Sequence, residues 1–141
     1  MIKQRFTLDR YDWDITVYYA VHGYFVDDIL DELKEIGIHG EKLRQARENL
    51  LRGEINSGLS YVNNGRAVCV IGLASDAKQY ADSLQHEVMH LALFIGKAEG
   101  LPLDGEEVCY IGGEIARKMW NKSKMLTSEC GCYTKRIERE L

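Results

Sequence analysis

Between Ser75 and Lys97 the chain reads as one long helix, and inside it stand His86-Glu87-Val88-Met89-His90. Few patterns limit a fold more tightly. Two imidazoles four residues apart on a helix lie on one face, about one turn from each other, so both reach the same ion. The glutamate between them is placed to activate a water held there, and zinc-dependent hydrolysis is the chemistry the spacing implies. Ser75 reads as the N-cap, and Asp76 adds negative charge at the positive helix end. Gly96 and Gly100 end the helix, and Pro102 forbids its continuation.

At about 100° per residue, Ala77, Ala81, Leu84, Val88, Leu91 and Ile95 form an apolar stripe, the expected core side. His86 and His90 fall roughly opposite, on a side shared with Leu93 and, further round, Phe94. A freely solvated face does not favour leucine, and a dry core does not favour two histidines without partners. A metal cleft satisfies both conditions. A lone helical histidine is ordinarily a surface or hydrogen-bonded core residue; the pairing on this helix is what turns the reading towards ligands.

Catalytic zinc takes a third protein ligand and leaves its fourth position to water. A metzincin would carry glycine at position 93 and histidine at 96. Leu93 and Gly96 exclude that class and leave a carboxylate from a following helix, which Asp104 caps and which runs to about Asn121. On that helix Glu107, Glu114 and Lys118 share one sector, with Glu114 and Lys118 spaced as an ion pair, the signature of an exposed face. Val108, Ile111, Ile115 and Met119 make the apolar side. Glu106 shares a third sector with Tyr110, Gly113, Arg117 and Trp120, and Gly113 would let the motif helix approach closely. Glu106 is therefore the expected third ligand, with Glu107 and Asp104 as alternatives. Tyr110, one turn on, is either a donor to a developing oxyanion or ligand carboxylate, or a packing aromatic. Glu87 is the expected general base, taking the proton of the attacking water and passing it to the leaving amine.

Upstream, residues 2–8 and 13–20 alternate polar and apolar around the charged turn Asp9-Arg10-Tyr11-Asp12, which predicts a β-hairpin. Phe25, Ile29, Leu30, Leu33 and Ile36 recur at helical spacing between Gly23 and Gly37, and a second helix is expected over 40–52. Strand patterns at 59–62 and 67–71 are joined by Asn63-Asn64-Gly65-Arg66, where Asn-Gly tolerates the positive φ of a tight hairpin. The second of these strands is a candidate edge for binding an extended peptide. The expected class is α+β, a small mixed or antiparallel sheet packed on helices. A chain of 141 residues fits one domain. Residues 1–55 would form its N-terminal hairpin and helices, 56–121 the metal-site core and 122–141 a charged tail.

Charge narrows the partners. Eighteen Lys plus Arg against 22 Asp plus Glu give a net −4 without a basic block, which argues against nucleic acid. The segment Met1-Ile2-Lys3-Gln4-Arg5-Phe6-Thr7 lacks the apolar run of a signal peptide, and no stretch is long enough to cross a bilayer. A cytoplasmic protein with free thiols is expected, acting on a peptide or protein and not on a membrane. Cys130-Gly131-Cys132 reads as an incidental pair in the tail, a redox or secondary metal role being its alternative. His22 and His39 read as ordinary loop residues.

The run Val68-Cys69-Val70-Ile71-Gly72, the segment Ser83-Leu84-Gln85-His86-Glu87-Val88-Met89-His90-Leu91, and Glu106 to Gly113 together resemble small zincin-like metallopeptidases of bacterial mobile elements and prophages. In them a strand precedes the His-Glu-x-x-His helix, and an acidic residue followed four positions later by Tyr opens the next helix. The resemblance covers roughly residues 66–120 and is loose outside the five-residue motif. It implies a zincin-type fold with zinc at His86, His90 and Glu106, and it names no substrate. The gap from His90 to Glu106 is shorter than in typical glutamate zincins. Two other readings stand beside it: a non-catalytic zincin-fold binding module, and a metal-free helical hairpin whose histidines meet solvent.

Overall fold

The computed structural model describes residues 2–21, 25–54 and 56–127. In chain order its elements are β1 (Ile2–Thr7), β2 (Asp14–Val21), α1 (Val26–Glu35), α2 (Gly40–Arg52), β3 (Gly58–Asn63), β4 (Arg66–Gly72), α3 (Ala77–Ala98) and α4 (Glu106–Ser123). Both expected hairpins form: β1 pairs antiparallel with β2, and β3 antiparallel with β4. Asn64 and Gly65 take φ of 49° and 76°, the left-handed geometry that a tight turn between right-twisted strands requires. The N-cap of α3 is Asp76, whose side chain accepts from the Gln79 amide at 2.8 Å; Ser75 instead hydrogen-bonds Asn56. Gly105, not Asp104, precedes α4 and makes no side-chain cap.

The two hairpins join through a parallel pairing of β2 with β4, giving a four-stranded mixed sheet in the order β1-β2-β4-β3. This corrects one expectation. The strand at residues 67–71 is central and has no open edge; β3 and β1 are the edges. The N-terminal hairpin belongs to the same sheet, with β2 in its middle. Helices cover both faces. Ile15, Val17, Tyr19, Ala67, Cys69 and Ile71 turn towards α3 and α4, and Tyr18, Val21, Val68 and Val70 towards α1 and α2. The period of two that sends alternate side chains to opposite faces explains this division. The chain is thus α+β, with a small mixed sheet between two helical layers.

Helix α4 folds back along α3. A Cβ at Gly96 would stand 2.8 Å from Val108 Cγ2, and one at Gly112 would meet Ala92 Cβ at 3.6 Å. These two contacts fix an antiparallel register that places the start of α4 beside the end of α3. Gly113, the expected point of close approach, would meet nothing within 4 Å. The predicted apolar side of α4 is observed, with Val108, Ile111, Ile115 and Met119 buried. Ser123 and Leu126 are buried too, so the core continues past the expected tail boundary at residue 121.

The β1–β2 turn clasps α4 and overturns the expectation of an exposed Glu114. The Asp9 amide donates to Glu114 Oε1 at 2.5 Å, Arg10 and Tyr11 donate to Glu107, and Lys118 donates to Thr7 and Asp9. Glu114 is therefore buried, and Lys118 pairs with Asp9 instead of Glu114. Among the described residues, no helix is long and apolar enough to cross a membrane.

Candidate metal centre

The α3 helix has two buried sides because it is wedged between the sheet and α4. Val88, Ala92 and Gly96 meet α4; Tyr80, Glu87, Leu91 and Ile95 are turned towards the core. The buried surface is therefore rotated towards Glu87 relative to the stripe read from the sequence, leaving Ala81 exposed and Leu84 half-buried. What is left uncovered carries His86, exposed, and His90, half-buried.

The two imidazoles converge. Their Nε2 atoms stand 3.0 Å apart, with ring centroids 4.6 Å apart and planes at 74°. Phe94, one turn further on, stacks on His90 at 5.3 Å and fixes that ring from behind. Without an ion the contact is a hydrogen bond from whichever ring carries the Nε2 proton. With zinc bonds of about 2.0–2.1 Å and near-tetrahedral angles, two ligand nitrogens lie roughly 3.3 Å apart. The observed separation is close to that value, so replacing the shared proton by a cation needs only a small opening of the pair.

Glu87 points the other way, into the layer between α3 and the edge strand. It is 4% exposed, and Ser60 Oγ on β3 donates to its Oε2 at 2.6 Å. No cationic side chain pairs with it among the described residues. Cys69, paired in register with Ser60, lies on the same face. Burial, and secondarily the Glu87 charge, push the Cys69 thiol up to about 12, so it stays protonated and unreactive at neutral pH. The sequence motif points to Glu87 and not to Ser60, whose one signal is a hydroxyl between Leu59 and Tyr61 on the strand before the Asn64-Gly65 turn.

The carboxylates of the 104–107 segment are elsewhere. The antiparallel register sets Gly96 against Val108, six residues or about 9 Å of helix beyond His90. Glu106 lies further out still and is exposed, Asp104 is exposed, and Glu107 is bound to Arg10 and Tyr11. Tyr110 is 51% exposed, its ring 4.8 Å from the Arg10 guanidinium. Among the described residues no third His, Cys, Asp or Glu joins the pair to make a ligand group. The imidazole pair matches zinc in donor type and spacing and supplies two of the three protein ligands that a catalytic site takes. His39 is exposed at the start of α2, while His22, Cys130 and Cys132 lie outside the described residues. Compared with known proteins, the chain matches no family model, no curated sequence and no solved structure.

Proposed function

We propose that the chain is a zinc-dependent hydrolase of peptide bonds, with a zincin-like placement of its motif helix under a sheet edge. One observation carries this reading: two imidazoles turned to a common point at the open side of α3, flanking a buried carboxylate that has no cationic partner among the described residues. Buried charges are ordinarily paired or bound near a metal, and this one, turned into the core against Ser60, stands between the two histidines in the sequence. The resemblance to metallopeptidases of mobile elements and prophages agrees with the motif, the strand before it and the Glu106-to-Tyr110 spacing.

In this reading His86 and His90 hold the ion. Bound there, zinc would act as a Lewis acid that polarises a carbonyl and brings the pKa of a water towards neutrality. Glu87 accepts the proton of the water as it adds to the carbonyl carbon and delivers it to the amine as the C–N bond breaks. Strand β3 supplies the docking edge: Gly58-Leu59-Ser60-Tyr61-Val62-Asn63 has no charged side chain to repel an added strand, and its outer main chain has no strand neighbour among the described residues. An extended peptide laid along it would pass beside Glu87.

Cleavage of a peptide library by the zinc-loaded chain tests the proposal. Turnover abolished by a chelator, restored by zinc and missing from Glu87→Gln supports it. Full activity in Glu87→Gln removes the assigned base. A second reading, a zincin-fold binding module without catalysis, draws on the lack of a third donor around the imidazoles among the described residues. It predicts peptide binding with no cleavage whether or not zinc is present.

A further inference from the structure

We infer that Ser60 is a positioning residue for Glu87: the edge strand of the sheet holds one oxygen of the base and leaves the other for the proton. The inference rests on the hydrolase reading and extends it to a residue outside the motif. Alternation along β3 sends Leu59 and Tyr61 into the layer beneath α1 and α2, and Val62 into the layer beneath α3. Ser60 shares the Val62 face, and there its hydroxyl meets Glu87 Oε2 at 2.6 Å. An apolar side chain would fill that place without bringing a polar atom into the core; the serine supplies a donor where a buried carboxylate has no cation among the described residues.

Gly58, two residues earlier and on the same face, completes the seat. A Cβ there would stand 3.1 Å from both Cγ and Oε1 of Glu87 and 2.6 Å from the Val70 carbonyl oxygen. The Val70 carbonyl thus demands a glycine at this place, and Glu87 Oε1 packs closely over it. Among the described residues the one sealed side-chain polar atom without a hydrogen bond is Tyr80 Oη. No hydrogen bond from the described residues is made to Glu87 Oε1, in contrast to Oε2. The two oxygens are made unequal: Oε2 is tied to Ser60 on β3, and Oε1, lying against Gly58, is the one left to act as acceptor. Because the tie comes from the strand on which a peptide would dock, it sets the base relative to the docking edge. Loss of the hydroxyl should then misplace the base without weakening main-chain docking.

The test uses the full-length, zinc-loaded chain and a fluorogenic peptide that the wild type cleaves. Ser60→Ala should lower kcat roughly 10- to 100-fold, the scale of a catalytic group misplaced by about 1 Å, with KM within about twofold. Zinc per chain should be unchanged, and Ser60→Thr, which keeps the hydroxyl, should recover most of the lost kcat. A second readout needs no activity. In a double-mutant cycle of unfolding midpoints, Ser60→Ala should act in the wild-type background and lose its effect in Glu87→Ala. Unchanged kcat in Ser60→Ala, a threonine variant no better than alanine, a loss of zinc, or additive midpoints would each overturn the inference. A wild-type chain that binds zinc and cleaves nothing is a separate failure, of the hydrolase reading itself, and is seen before any Ser60 variant is made.

Discussion

Glu32 is buried on one face of the sheet and Glu87 on the other, and the two are treated oppositely. On the α1/α2 face Glu32, 6% exposed, accepts from Arg5 Nη2 at 2.6 Å and from Thr16 Oγ1 at 3.0 Å. Burial alone would raise its pKa, but the hydrogen bonds of Arg5 and Thr16 and the Arg5 charge outweigh it, and the net shift is downward. On the α3/α4 face Glu87 is as deeply buried and has one neutral donor, Ser60. Glu114, the other buried glutamate on this face, accepts from the Asp9 amide in the β1–β2 turn and serves to clasp that turn. A carboxylate that works for stability is matched by a cation or built into a turn; Glu87 has neither among the described residues, only the Ser60 hydroxyl.

Replacement of each carboxylate by its neutral isostere should break the symmetry most visibly. Glu87→Gln is expected to lower turnover by about 10²- to 10⁴-fold, the usual worth of a general base, while zinc content and the urea-unfolding midpoint hold or rise. Assay, metal analysis and urea melts of the one variant check all three. Glu32→Gln should do the reverse, leaving kcat unchanged and costing about 1–2 kcal/mol of stability at neutral pH, a modest figure because the Arg5 side chain is 57% exposed. If both variants lose stability equally, the contrast between the faces is wrong.

The acid limb sharpens the comparison. A carboxylate whose folded pKa is lowered contributes stability above its unfolded pKa and loses it as pH falls through the folded value. Wild type and Glu32→Gln should therefore differ at neutral pH and converge in strong acid, and a gap that persists there would mean Glu32 stabilises by packing alone. The smallest effect is expected at Glu106→Ala. Its exposed position at the start of α4 predicts zinc affinity within about twofold of wild type, as measured by competitive chelator titration. A large loss would restore Glu106 as the third ligand and require α4 to shift along α3.

What the sequence made legible was local. Both hairpins, the four helices and the apolar side of α4 followed from periodicity and from Asn64-Gly65, because each depends on residues near in the chain. The parallel β2–β4 pairing did not, and it decides that β4 is central and β3 an edge. Angular sectors misjudged Glu114 and Gly113 for a related reason. Periodicity gives a side chain's direction around its own helix and says nothing of what packs there, and the Asp9 turn and the Ala92–Gly112 register are both tertiary. The convergence of His86 and His90 was fixed by the four-residue spacing alone; the company kept by Glu87 depended on a strand 27 residues away.

Zinc content of freshly purified chain, with and without His86, tests the centre most directly. One zinc per chain in the wild type and in Glu87→Gln, lost in His86→Ala, is the predicted result. Zinc retained in His86→Ala, or none taken up by the wild type after reconstitution, would contradict the assignment of the imidazole pair as a metal site.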